Sequence, residues 1–145
     1  MITSERIEAL LAERECERLI TQFAMLNDAG DYERIAELFT EDGVFCRPST
    51  PDVELKGKAA ILDAFRSRPP RLSRHFVCNT QVTLESASEA TATSYILLVA
   101  APGLEEPAIA VAPHLIGQFK DRLKLLEGVW HFSERRGSLQ LQMPG

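Results

Sequence analysis

Apolar residues recur at helical spacing over the first part of the chain. The stripe follows intervals of three and four through Ile7, Leu10, Leu11, Cys16, Leu19, Ile20, Phe23 and Asn27. Thr3 or Ser4 can cap this segment, and Gly30 is suited to end it. The pattern predicts one long helix over 4–26 and then a shorter helix, "DYERIAELF", capped by Asp31.

The pattern changes after this second helix. "TEDG" predicts a turn into a short strand at 44–47, and the proline-containing segment "RPSTPDVEL" predicts a loop. A third helix, "KAAILDAFRSR", follows Gly57 and is stopped by two prolines. Residues rich in Val, Thr, Ile, Leu and aromatics then predict four antiparallel strands at 71–85, 90–100, 109–124 and 129–141.

Helices followed by a run of strands indicate an α+β fold. Long antiparallel strands that face a few helices usually curl, and a curled sheet closed by helices encloses a pocket. The length of 145 residues fits a single domain over 1–145, and no internal repeat is visible.

Composition narrows the possible partners. The net charge of -5 argues against nucleic acid, because phosphate binding needs a basic surface. The pair Arg135-Arg136 is interleaved with acids, so we interpret both as solvated surface or strand-edge charges. The three cysteines form no CxxC pair, which favours buried thiols in a reducing compartment. The N-terminus is too charged for a signal peptide and no apolar run could span a bilayer, so we expect a cytoplasmic protein without a membrane partner.

Two residues suggest acid–base chemistry. On a strand, His75 in "SRHFVCN" shares one face with Val77, Asn79 and Gln81. Imidazole titrates near neutrality, and a carboxylate such as Asp28, at the end of the first helix, could fix its tautomer. The alternative is a core histidine satisfied by the backbone, with Asp28 an exposed loop acid.

Other candidates have simpler structural explanations. Tyr95 could point its phenol into the same cavity or pack with its hydroxyl at the rim. His114 and His131 are explained as surface or strand positions. The sequence contains no HExxH, GxGxxG, GxxxxGK[ST] or GxSxG motif, so we expect no metal, no nucleotide cofactor and no serine nucleophile.

Several segments, in order, resemble the SnoaL-like branch of the nuclear transport factor 2-like superfamily. They are "RLITQFAMLNDAGDYERIAELFTEDGVF", "LKGKAAILDAF", "SRHFVCN", "GQFKDRL" and "EGVWHFSERRGSL". The resemblance implies a cone-shaped fold, with a bent sheet wrapped around a long helix and an apolar cavity between them. It also implies that Asp28 projects into this cavity and cooperates with His75.

We therefore expect a cofactor-independent lyase, isomerase or cyclase acting on a small, largely apolar, carbonyl-containing molecule. His75 would move the proton, and Asp28 would orient it or act as the base itself. The predicted substrate-binding residues are Asn27, Asn79 and Tyr95 for oxygens, and Phe23, Phe45, Phe65 and Val77 for apolar wall. The alternative is a non-catalytic binding or assembly module, similar to the small subunit of ring-hydroxylating dioxygenases. In either case the resemblance implies a homodimer formed through the sheet.

Overall fold

Three helices and six strands make up the computed structural model, which describes residues 1–144. The helices are α1 (Ser4–Ala29), α2 (Tyr32–Glu37) and α3 (Lys58–Arg66). The strands are β1 (Phe39–Cys46), β2 (Leu55–Lys56), β3 (Arg71–Leu84), β4 (Glu89–Pro102), β5 (His114–Leu126) and β6 (Val129–Met143). None of the described helices is long and apolar enough to cross a bilayer.

The helix ends follow the predicted capping chemistry. The Thr3 side chain accepts a hydrogen bond from the Arg6 backbone N–H at the start of α1. Gly30 ends α1 in the left-handed conformation, with φ 72°, which glycine adopts without steric cost. Asp31 caps α2 by accepting from the Arg34 backbone N–H at 3.4 Å. Because α1 continues to Ala29, its last turn includes both Asn27 and Asp28.

The predicted antiparallel meander is confirmed, and the region before it needs correction. β3, β4, β5 and β6 pair antiparallel in sequence order. The predicted turn "TEDG" lies inside β1, which starts at Phe39 and runs parallel to β6 from the Phe39–Phe132 pair onward. Residues 40–43 have no partner in β6, because the register shifts between the Phe39–Phe132 and Val44–Glu134 pairs, and the pairs on either side place this irregular segment within the strand. β5 begins at His114 and not at 109.

The sheet is curved and unclosed, in the order β2-β1-β6-β5-β4-β3. The pairing register shifts three times along the long strands, at Cys78/Gln81, Ile116/Gly117 and Arg122/Leu123. Such bulges bend a strand and increase its twist. The curved sheet thus wraps around α1, as the α+β cone prediction requires.

Phe23 of α1 is the centre of the core inside this curve. Its ring lies 5.5–6.2 Å, centroid to centroid, from the rings of Phe39, Phe45, Phe65, Phe119 and Phe132. Most of these contacts are edge-on or tilted, the arrangement that aromatic quadrupoles favour. One helix residue therefore contacts β1, α3, β5 and β6 at once.

A fully buried ion pair lies against this aromatic cluster. Arg135 Nη1 donates to Asp121 Oδ2 at 2.8 Å, and both side chains have 0% exposure. The Arg135 guanidinium carbon is 3.8 Å from the centroid of the Phe119 ring. Burial raises the pKa of Asp121 to about 6, although Arg135 opposes this shift. The interpretation of Arg135 as solvated is wrong: in β6 it points inward, whereas Arg136 forms partly exposed pairs with Glu54 and Glu134.

We predict that Arg135→Met destabilises the protein by about 3–5 kcal/mol, because it leaves Asp121 buried without a partner. The double variant Asp121→Leu/Arg135→Met should recover most of this loss, since no charge then remains in the core. Arg136→Met is the control and should cost about 1 kcal/mol or less, as for exposed pairs. Urea unfolding curves measure all three, and equal losses in the two single variants would contradict the prediction.

The three thiols differ in accessibility. Cys16 and Cys46 are buried, as expected, but Cys78 is exposed on the outer face of β3. Burial, with a smaller effect from nearby glutamates, raises the pKa of Cys16 to about 12. A thiol is nucleophilic only as its thiolate, so Cys16 should be inert in the folded protein.

We therefore predict that iodoacetamide modifies Cys78 alone in the native protein and all three cysteines after denaturation. Peptide mass spectrometry of the labelled protein distinguishes the sites. Rapid native labelling of Cys16 would contradict the core packing described above.

Candidate active site

Asp28 sits at the C-terminal end of α1, where the helix dipole disfavours a carboxylate. Three donors from β3 compensate for this. The His75 backbone N–H donates to Oδ2 at 2.9 Å, and the Ser73 hydroxyl and His75 Nδ1 donate to Oδ1 at 3.0 and 2.5 Å. Hydrogen bonds to a charged acceptor are roughly twice as strong as neutral ones. The carboxylate therefore joins the end of α1 to β3.

The pairing defines the state of the imidazole. A carboxylate can only accept, so Nδ1 of His75 carries a proton, and in the neutral imidazole the free lone pair is then on Nε2. The His75 and Asp28 side chains are 7% and 14% exposed. His75 lines the adjacent pocket, whereas Asp28 lies behind it and does not. His75 is thus a pocket-lining residue with one ring nitrogen, Nε2, that Asp28 does not engage.

The pocket has a volume of about 170 Å³ and lies between α1, α3 and the inner face of the sheet. An apolar cavity of about 150 Å³ holds a benzene molecule, so this pocket suits a compact ligand. Its apolar lining consists of Phe23, Phe45, Pro48, Phe65, Ile96, Leu98, Leu115, Phe119 and Leu139. Polar groups are contributed by Asn27, Arg47, Ser49, Arg68, Arg71 and His75.

The structure brings most of the predicted site residues together. Phe23, Asn27, Phe45 and Phe65 line the pocket with His75. Asn27 does not leave its amide oxygen free, because that oxygen accepts a hydrogen bond from Arg68 Nη2 at 2.6 Å. Asn27 thus has a charged neighbour that the sequence did not indicate.

Three predicted binding residues lie outside the pocket. Val77 faces inward but packs against the hydrophobic core. Asn79 is exposed because the bulge at Cys78/Gln81, where Asn79 has φ 54°, breaks the alternation of β3. Tyr95 is 41% exposed, because the neighbouring Ser94 and Ile96 occupy the inner face of β4. The placement of Asn79 and Tyr95 in the cavity is therefore wrong.

Three arginines that were not predicted from the sequence also line the pocket: Arg47, Arg68 and Arg71. Arg71 could have been found, since it precedes His75 by four residues and so shares its strand face. Arg47 follows β1 and Arg68 follows α3, and neither position has a periodicity that reveals its direction. Within residues 1–144, no cluster of three or more His, Cys, Asp or Glu side chains could hold a metal ion.

Solved structures with the same fold include several enzymes and proteins without an assigned role. A putative scytalone dehydratase from Novosphingobium aromaticivorans aligns with TM-score 0.81 and 23% identity, over 95% of this chain and 90% of that one. A hexachlorocyclohexane dehydrochlorinase, LinA type 2, aligns with TM-score 0.79 and 17% identity, over 96% and 92%. A nuclear transport factor 2-like protein with a cystatin-like fold, also from Novosphingobium aromaticivorans, has TM-score 0.71 and 23% identity over 96% and 91%.

The TM-scores establish a shared fold, and at these low identities they establish nothing more. A comparison with curated protein sequences finds no significant match. The family profile of the SnoaL-like domain, however, matches residues 8–136, which is nearly the whole chain. The resemblance to the SnoaL-like family inferred from the sequence is therefore confirmed, and the chain belongs to the SnoaL-like domain family.

Proposed function

We propose that this protein is a cofactor-independent lyase or isomerase that removes a proton from carbon in a small carbonyl-containing molecule. The observation that carries the proposal is the 2.5 Å hydrogen bond between His75 Nδ1 and Asp28, formed at the wall of a largely apolar pocket. A neutral imidazole held in one tautomer is suited to act as a general base.

The two residues take different roles in this proposal. Nε2 of His75 accepts the proton, because it is the ring nitrogen not engaged by Asp28. Asp28 orients the ring and stabilises the imidazolium that forms. Both Asp28 oxygens already accept hydrogen bonds, and the residue does not line the pocket, so it is poorly placed to act as the base itself.

The electron pair left on carbon determines the reaction. It is delocalised onto the neighbouring carbonyl as an enolate. Expulsion of a leaving group from the adjacent carbon completes an elimination, while return of the proton from His75 to another carbon completes an isomerisation. Elimination is supported by the fold neighbours named dehydratase and dehydrochlorinase, since both names describe loss of hydrogen with a leaving group. A purely binding module would need the pocket but not the ordered pair.

We predict that the protein accelerates deuterium exchange next to the carbonyl of cyclohexanone or phenylpyruvate in D₂O, followed by ¹H NMR. His75→Gln should reduce the enzyme-dependent rate by about 10²–10⁴-fold, the usual contribution of a general base. Asp28→Asn should also lower the enzyme-dependent exchange rate. His131→Gln is the control, because that ring contacts the Val129 backbone oxygen and lies outside the pocket. Wild-type exchange no faster than buffer, or full exchange in His75→Gln, would refute the mechanism.

A second prediction concerns the hydrogen bond itself. A proton in a short bond to a carboxylate is strongly deshielded, so the His75 Nδ1 proton should give a far-downfield ¹H signal. Asp28→Ala should abolish this signal in a variant whose circular dichroism still shows the folded state, and His131→Gln should retain it. Persistence of the signal in Asp28→Ala would assign it to another group and contradict the pairing.

A further inference from the structure

Three arginines converge on the pocket from different elements. Arg47 directly follows β1, Arg68 follows α3, and Arg71 is the first residue of β3. In the described part of the chain, none of the three lies within 4.0 Å of a carboxylate. The Nε atom of each is buried and has no hydrogen-bond partner among residues 1–144. Each guanidinium therefore has donor capacity that the protein itself leaves unused.

The contacts these arginines do make are with neutral groups. Arg47 Nη2 donates to the Ala64 carbonyl oxygen at the end of α3, and Arg68 Nη2 donates to the Asn27 amide oxygen. The guanidinium carbons of both lie over the Phe65 ring, at 5.8 and 4.8 Å from its centroid. Cation–π contacts help to hold partly desolvated guanidinium groups, but they do not neutralise the charge.

The cluster is electrostatically unbalanced. Burial lowers the pKa of Arg47 and Arg71, and the nearby charge of Arg68 lowers both further. Asp28 attracts Arg71 from a distance, and the C-terminal ends of α1 and α3 carry partial negative charge close to the pocket. One carboxylate and two helix ends compensate only part of three positive charges. Each helix end carries roughly half a negative charge, so about one unit of positive charge remains uncompensated.

Seven of the nine other arginines lie within 4.0 Å of an acid, and the two that do not, Arg6 and Arg18, are exposed on α1. Arg135 has Asp121 in the core, and Arg66 and Arg74 have Glu33 and Glu106 on the surface. The sequence has 21 acidic against 16 basic residues, so acids are abundant. If these three arginines served only to cap the C-terminal ends of helices, an acid could also lie beside them. Among the arginines that are at least partly buried, the lack of an acid partner is therefore confined to the three at the pocket.

We propose that Arg47, Arg68 and Arg71 bind a carboxylate group of the substrate, so that the ligand is a small organic acid. This rests on the proposed function only in placing the reacting carbon beside His75. A planar guanidinium binds a carboxylate through two parallel hydrogen bonds, and the single negative charge matches the imbalance. The apolar lining then holds a body about the size of a benzene ring. The proposal replaces the largely apolar ligand expected from the sequence.

The test uses benzoate and its neutral isostere benzamide, titrated into the wild-type protein by calorimetry in low-salt buffer without other carboxylates. Benzoate should bind at least about tenfold more tightly than benzamide, since loss of one charge-assisted hydrogen bond has an effect of this size. Inorganic phosphate is titrated separately. Equal binding of benzoate and benzamide, or tighter binding of phosphate than of benzoate, would overturn the carboxylate assignment.

Substitutions locate the binding site. Arg71→Gln and Arg68→Gln should each weaken benzoate binding about tenfold or more while leaving benzamide binding nearly unchanged. Arg66→Gln is the matched control, since Arg66 belongs to α3, faces solvent and pairs with Glu33. Arg47→Gln loses a contact with α3, so its fold is checked by circular dichroism first. An equal loss in Arg66→Gln, or no loss in the pocket variants, would refute the site.

The catalytic proposal can fail separately from this one. His75→Gln should retain benzoate binding within about threefold, because the imidazole is not among the groups proposed to hold the carboxylate. Benzoate binding without deuterium exchange would leave the carboxylate site standing and remove the proton-transfer mechanism. Deuterium exchange of cyclohexanone without selective benzoate binding would support the proton-transfer mechanism and refute the carboxylate site.

Discussion

The Asp28 carboxylate is the interaction on which both the architecture and the chemistry depend. It receives three hydrogen bonds from Ser73 and His75 and so fixes the last turn of α1 against β3. An acid at a helix C-terminus opposes the dipole, and the three donors from β3 offset this cost. The same bonds that hold the helix to the strand also set the tautomer of the imidazole. Alignment of α1 with the sheet and alignment of the proposed base with the pocket are therefore one geometric condition.

Below the pocket, the core contains a fully buried ion pair between Arg135 and Asp121. Phe23 and Phe119 form part of the pocket lining and also contact the buried Arg135 guanidinium. A cation with its own carboxylate under aromatic rings adds little net stability compared with an apolar core. It does, however, fix β5 against β6 through a directional contact, which an apolar pair would not provide. We interpret the contact between Arg135 and Asp121 as a source of rigidity below the pocket. The positions of Phe23 and Phe119 there determine the shape of the pocket.

The sequence was informative where local patterns dominate. Helical periodicity and capping residues predicted α1 and α2, and alternation placed His75 on the inner face of β3. Local patterns failed where distant pairing or a bulge decides the conformation. Phe39 joins β1 because β6 lies beside it, and Asn79 turns outward because the register shifts at Cys78/Gln81. Arg47 and Arg68 follow regular elements, so no period indicates that their side chains meet at one pocket.

The three pocket arginines also lower the stability of the unliganded protein. Three guanidinium groups with mutual repulsion and unused donors destabilise the unliganded fold, and such strain persists only where something else requires it. A bound anion relieves the repulsion, so ligand binding and folding stability are linked. The carboxylate would also align the substrate across the pocket from Nε2 of His75, since Arg71 and His75 share a strand face. Orientation of the reacting carbon would then follow from charge, while the apolar wall would set only the size of the molecule admitted.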